Sequence, residues 1–304
     1  MAVIHSTYRD TGTVSVDGER CTLCEACVKT CPVGVLRIED GAVRQRNVGF
    51  GCVACGHCMM VCPETCIAVS GRNLSAADLQ PLPPPEARAD AASLKALLAA
   101  RRSVRRFRER PVEPELLAEV VAVASSAPMG VPPWDVGVVT VDGADAVRKL
   151  AGEVVAGYRG MVKIFRPGIL KVMRPFIGRA RYEQFSSFIV PLAHKYLESW
   201  DEGRDTVFYG APAALIFHYS PYAGEADAVI ACTYAMLAAE SHGLGSCMVG
   251  GAPPILQRNR DLCAGLGIPE GNTPALVLIL GYSAVPFKRG IVRRFSHQQE
   301  AGPR

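Results

Sequence analysis

Cys21-Thr22-Leu23-Cys24-Glu25-Ala26-Cys27-Val28-Lys29-Thr30-Cys31-Pro32 and Cys52-Val53-Ala54-Cys55-Gly56-His57-Cys58-Met59-Met60-Val61-Cys62-Pro63 decide how this chain of 304 residues is read. Both run C-x2-C-x2-C-x3-C-P, and 9 of the 12 cysteines lie before residue 67. The opening Met1-Ala2-Val3-Ile4-His5 has neither a basic region nor a long apolar one, so no secretory leader is expected and the chain is placed in the cytoplasm. Thiols stay reduced there, and clustered cysteines then point to metal rather than disulfides. Structural zinc takes four ligands, usually as two close pairs. Three close cysteines plus a displaced fourth, twice over, fit an iron–sulfur cube better. Three thiolates on a tight loop can cap three irons, while the fourth points across the domain. The expected ligand sets are therefore crossed: Cys21, Cys24, Cys27 and Cys62 for one [4Fe-4S] cluster, and Cys52, Cys55, Cys58 and Cys31 for the other. Each proline is expected to end its loop and start a helix.

His57 is read as a loop residue and Cys66 as a packed thiol outside the pattern. Residues 1–70 as a whole resemble bacterial-type dicluster ferredoxins. The resemblance implies a small α+β unit with pseudo-twofold symmetry. Val14-Ser15-Val16, residues 33–38 and Ile67-Ala68-Val69 are its expected short strands.

Beyond it the composition is that of an ordinary globular protein, with 49% hydrophobic and 20% charged residues. A net charge of +4 is too mild to suggest nucleic acid. No stretch approaches the roughly 18 apolar residues that would suggest a transmembrane span. The longest apolar runs, 228–239 and 275–280, read as a buried helix and a buried strand. Residues 71–93 carry Pro81, Pro83, Pro84 and Pro85 and read as a semi-rigid linker. A second domain is then expected over 94–304, opening on a helix at 94–100.

The next segment reads Arg101-Arg102-Ser103-Val104-Arg105-Arg106-Phe107, followed by Pro111-Val112. By its chemistry alone it is either a cationic loop suited to a phosphate or a solvated charge run at a helix end. Arg-x-Ser-x-Arg before Phe and Pro-Val resembles the start of the FMN-dependent nitroreductase family. Further landmarks follow in order: Ala127-Pro128-Met129-Gly130 with Pro133-Trp134 before a strand at 136–141, Ala211-Pro212-Ala213-Ala214 before a strand at 215–219, Asp227 opening a long helix, His242-Gly243-Leu244-Gly245-Ser246-Cys247 leading to Gly250-Gly251, and a strand at 276–281 before Lys288, Arg289 and Arg293. The resemblance implies an α+β sandwich with a central, mostly antiparallel sheet, assembled as a homodimer with FMN at the interface. It implies that Arg101, Arg102, Ser103 and Arg105 hold the phosphate and ribityl region of FMN, completed by Arg289 or Arg293. It also implies that the backbone at Gly250-Gly251 faces the flavin ring. The chain departs from the family at Val131-Pro132-Pro133-Trp134, where Asn and Gln are common, so side-chain contacts to the ring edge should be fewer there. Trp134 is read as either flavin-side or core.

Residues 150–205 have no clear family counterpart. From Tyr158 to Tyr182 there are seven basic residues and no acidic one, interleaved with apolar side chains. A helical lid over the flavin pocket is the favoured reading, ahead of a docking site for an acidic donor and of contact with a membrane surface. Pro167 and Pro175 are expected to cut the stretch into short pieces. No G-x-G-x-x-G run follows a strand, so no Rossmann site is visible; the fused dicluster unit removes the need for a nicotinamide at the flavin, and a low-potential donor such as ferredoxin is expected, with donation by NAD(P)H left open. The expected function is reduction of a small organic acceptor: a nitro compound, quinone or activated alkene. The alternatives are an electron-transfer module that reduces a protein partner and an FMN-binding sensor. No catalytic side chain is assigned. Protein purified without oxygen should carry about eight iron and eight acid-labile sulfide per chain; elemental and sulfide analysis that returned zinc instead would overturn the cluster reading.

Overall fold

A computed structural model describes residues 11–46, 49, 51–130 and 135–299. Val131, Pro132, Pro133 and Trp134, where the chain departs from the family pattern, lie outside the described residues.

The first unit contains β1 (Thr13–Val16), α1 (Ala26–Thr30), β2 (Leu36–Glu39), β3 (Ala42–Gln45), α2 (His57–Met60) and β4 (Ile67–Ser70). β1 pairs antiparallel with β4, setting Val14 opposite Val69, and β2 pairs antiparallel with β3. The β2–β3 turn is Asp40-Gly41, both with positive φ, which matches the twist of a tight hairpin. β2 begins at Leu36 rather than at residue 33, because Gly34 turns left-handed immediately after the Cys-Pro corner. The expected helices after Pro32 and Pro63 are absent from the described residues; both prolines open turns instead. The short helices precede them, inside each cysteine run, and His57 is the exposed first residue of α2. Val35, Leu36, Met59, Ile67 and Val69 form the small core together with several cysteines.

The connecting stretch holds single 3-10 turns at Ala76–Asp78 and Pro85–Ala87; Arg72 is buried and Leu74 and Leu79 pack against the core of the first unit, so exposed linker begins only at residue 80. α3 (Ala91–Ala100) starts earlier than expected because Asp90 caps it, accepting from the Ser93 N–H at 2.7 Å. Next come α4 (Pro114–Ser125), β5 (Val136–Asp142), α5 (Ala144–Ile164), α6 (Pro167–Ile177), α7 (Arg179–Gln184), a π turn at Phe185–Ile189, and α8 (Val190–Asp201). The chain closes with β6 (Ala213–Tyr219), α9 (Glu225–Ser241), β7 (Gly245–Val249), α10 (Pro253–Leu256), α11 (Arg260–Gly265) and β8 (Thr273–Gly281).

β5, β6, β8 and β7 form one antiparallel sheet in that order. Successive residues of a strand point to opposite faces. On β6, Ala214 and Ile216 join one core with α5, α8 and α10, whereas Ala213, Leu215 and Phe217 join another with α4 and α9. β8 does the same, with Val277 and Ile279 on one side and Leu278 and Leu280 on the other. The result is three layers, helix–sheet–helix. α9 lies close to the sheet because its buried positions are small: Ala228, Ala231, Cys232, Ala235, Ala238 and Ala239. Asp227, in its first turn, accepts from the Gly224 N–H at 3.0 Å and from the Gly130 N–H at 2.6 Å, tying in the loop after α4.

The segment after α3 lies along the edge of β7. Ser103 bridges Ser246 in parallel, the Val104 N–H donates to the Ser246 carbonyl at 2.9 Å, and the Arg108 N–H donates to the Tyr282 carbonyl at 2.8 Å. This approach requires glycine at 245, where a Cβ would sit 2.6 Å from Val104 Cγ2. Gly245→Ala should therefore cost about 1–3 kcal/mol, read as a lower denaturant midpoint at unchanged m; an unchanged midpoint would mean that the 103–105 segment yields freely.

Candidate functional site

In the first unit the eight expected ligands gather in two places, in the crossed sets. Cys21, Cys24, Cys27 and Cys62 line one hollow, and Cys31, Cys52, Cys55 and Cys58 line the other. Each hollow takes three of these cysteines from one run and the fourth from the other, a division that suits a cube better than the two close pairs usual for zinc. The two loops repeat each other's backbone. Leu23 and Ala54 both take positive φ, as do Glu25 and Gly56, and Gly34 and Thr65. Leu23, Glu25, Ala54 and Thr65 are not glycines, and each left-handed residue costs about 1 kcal/mol. Such strain persists where surrounding structure or a ligand fixes the loop. Burial pushes the Cys58 thiol up to about 12 and raises Cys27 and Cys52 as well. Iron would have to displace those protons on binding. Cys66 is buried as expected, but its sulfur lies 3.4 Å from Cys62 Sγ and faces the first hollow.

In the second unit a cavity of about 560 Å³ opens where β7 ends. Arg105, Gly250 and Gly251 line it, so the structure brings these three expected residues together. Arg105 has no carboxylate partner among the described residues; its guanidinium lies 5.8 Å from the Tyr209 ring centroid. A Cβ on Gly250 would meet nothing within 4 Å, so its backbone faces open space. Gly251 is held from behind: its carbonyl accepts from the Tyr158 hydroxyl at 2.7 Å. Arg101, Arg102 and Ser103 do not line the cavity. Arg101 ends α3, and Arg102 donates to the Arg101 carbonyl at 2.6 Å. The Arg102 guanidinium also packs against Gly290, which brings the segment carrying Arg289 to this cationic end. Arg293 is exposed on the same segment. Burial raises the Glu240 carboxyl, and the Arg101 and Arg102 charges pull it back. Beside Ser103, the buried Ser246 hydroxyl has no hydrogen-bond partner among the described residues. In the cavity itself, an uncompensated cation and an exposed glycine backbone fit an anionic group with a flat ring, as FMN has.

Residues that motif reading missed complete the cavity. The Tyr158 and Tyr196 rings meet edge to face with centroids 5.4 Å apart, and burial pushes Tyr196 up to about 12. Tyr209 sits in a loop held by the Asp205 carboxylate, which accepts from the Val207, Phe208 and Gly210 N–H groups. The 150–205 stretch supplies one wall through Phe185, Phe188, Ile189 and Leu192. Phe185 and Phe188 belong to the π turn, a device frequent at functional sites. These aromatics line the cavity.

Residues 98–282 match the nitroreductase family, and residues 13–63 match a 4Fe-4S dicluster domain. Among solved structures, a nitroreductase with bound FMN from Bacteroides fragilis is similar at 18% identity and a TM-score of 0.51, covering 68% of this chain and 98% of that one. A nitroreductase with bound FMN from Desulfitobacterium hafniense is 22% identical with a TM-score of 0.50, covering 67% of this chain and 97% of that one. Subunit I of an NAD(P)H-quinone oxidoreductase from Gloeobacter violaceus is 25% identical over 68 residues, 19% of this chain; the chain spans about a third of that relative's length, 32%. The family match covers more than half of the chain, and the dicluster match falls on the two cysteine runs: this chain is an oxidoreductase of the nitroreductase family, preceded by a 4Fe-4S dicluster domain.

Proposed function

We propose that the chain takes electrons from a low-potential donor such as ferredoxin and delivers them to a small organic acceptor bound in the 560 Å³ cavity, a nitro compound, a quinone or an activated alkene. When bound, two [4Fe-4S] clusters supply one-electron relay and FMN supplies the exchange between one- and two-electron chemistry. Residues 1–70 form the relay domain, 71–93 the linker and 94–304 the flavin domain, with 150–205 as a helical lid. Cys21, Cys24, Cys27 and Cys62 hold one cluster, and Cys52, Cys55, Cys58 and Cys31 the other. Arg101, Arg102, Ser103 and Arg105 bind the anionic arm of FMN, with Arg289 or Arg293 closing the site. Gly250 and Gly251 present backbone to the ring. Two relatives described with bound FMN support that choice of cofactor. The proposed assembly is a homodimer in the cytoplasm, since the family builds each flavin site from two chains.

The lining of the cavity carries the reading. The proposed flavin contacts Arg105, Gly250 and Gly251 share it with Phe185, Phe188, Ile189 and Tyr196, a mostly apolar wall of the kind that suits a small organic molecule beside the ring.

Two variants test the path. Cys62→Ala should lose the first cluster and cut ferredoxin-driven turnover at least about tenfold, a barrier change of about 1.4 kcal/mol. FMN should stay bound and remain reducible by dithionite. Arg101→Ala should release FMN on dilution and leave the iron–sulfur absorbance intact. Full ferredoxin-driven turnover in Cys62→Ala, with loss of the cluster verified by electron paramagnetic resonance, would overturn the relay.

A further inference from the structure

α6 is one continuous helix. Pro167 occupies its first turn, where a missing N–H costs nothing, and Pro175 falls in its last. As expected the stretch is in short pieces, with the break between α5 and α6 just before Pro167, but Pro175 lies inside α6 and does not interrupt it. Its inner side is anchored by Leu170, which is buried, and by Met173 and Ile177, which are half-buried. The outer side carries Ile169, Val172 and Phe176, spaced three and four apart and therefore in one stripe. They are 44%, 71% and 87% exposed. Ile164, the last residue of α5, is exposed as well. None of these four lines the cavity, so a lid role accounts for Phe185 and Phe188 but leaves the stripe unexplained.

The charges around the stripe have one sign. Residues 154–182 contain no Asp or Glu. Arg179 pairs with Glu183 at 2.7 Å, and Arg174 lies 5.4 Å from the Tyr182 ring centroid. Lys163, Arg166, Lys171 and Arg181 are exposed and make no ion pair among the described residues. An apolar stripe ringed by uncompensated cations is complementary to a surface that is anionic outside and apolar just beneath. A second copy of the chain would bring like charges together. An acidic protein would neutralise the cations too, and its binding is one of the outcomes that overturn the assignment below. No helix among the described residues is long and apolar enough to cross a membrane, so contact of this kind is peripheral.

We infer that α6 and α7 form a docking surface for an anionic lipid bilayer, with Ile169, Val172 and Phe176 at the boundary between headgroups and acyl chains and Lys163, Arg166, Lys171 and Arg181 against lipid phosphates. This inference stands apart from the proposed electron path, since it uses no residue of either cofactor site. The test is co-sedimentation of the holoprotein with vesicles of phosphatidylcholine alone and of phosphatidylcholine with about 30% phosphatidylglycerol. Binding to the anionic vesicles should exceed binding to the neutral ones at least about tenfold and disappear at about 0.5 M salt. Phe176→Ser and Lys171→Glu should each reduce it about tenfold, with circular dichroism and visible absorbance unchanged. Lys95→Glu, on exposed α3, carries the same charge change as Lys171→Glu and should leave binding intact. Equal binding to both vesicle types, or no binding, overturns the inference. So does a dimer, detected by light scattering, that Phe176→Ser dissociates while vesicles remain unbound, because a second copy would then cover the stripe. Saturable, salt-sensitive binding of an acidic ferredoxin lost in Lys171→Glu, without vesicle binding, also overturns it.

Discussion

The two central strands, β6 and β8, have no wet face. Ile216 and Phe217 are adjacent in sequence, point to opposite sides and are both fully buried. A sheet of this kind stands only if helices cover both surfaces. α5, α8 and α10 do so on one side, and α4 and α9 on the other. With both faces occupied, the places left for a ligand are the ends and edges of the sheet. The cavity lies where β7 runs out into Gly250-Gly251, and the basic segment after α3 lies along β7 itself. Packing thus dictates where chemistry can be placed before any side chain is chosen for it.

How much was legible in the sequence follows from whether the cause was local. The cysteine runs were readable because coordination imposes a spacing, and the structure gathers the eight sulfurs in the crossed sets that spacing implies. α9 and β8 were readable as apolar runs too long to be left in water. The β2–β3 hairpin was missed although Asp40-Gly41 between short β-prone segments was a usable signal. The helices assigned after Pro32 and Pro63 were wrong for a local reason as well: left-handed residues at Gly34 and Thr65 turn the chain at once into a strand approach. Tyr158, Tyr196 and Tyr209 could not be found from the sequence. They meet through contacts between α5, α8 and the loop before β6, which no local pattern records.

The cluster-binding unit shows a different division of labour. Its apolar core is small, and several of its buried members are cysteines. A unit of this size gains little from burial alone. Four non-glycine residues in left-handed conformation subtract from that gain. Each hollow is lined by cysteines from both loops, so neither half closes its hollow without the other. Metal and fold are therefore expected to be interdependent in this unit, whereas the three-layer unit has a core large enough to stand by packing.

The hydrogen bond from the Val104 N–H to the Ser246 carbonyl has a consequence for solubility. β7 is an outer strand, and an outer strand left bare presents a row of unpaired amides on which another chain can grow. Here the segment that carries Ser103 and Arg105 also covers the start of that row, at Ser246. A chain that let this segment drift would bare a template for strand addition, built from the apolar residues Cys247, Met248 and Val249. The segment proposed to hold the cofactor then also guards the start of this strand edge.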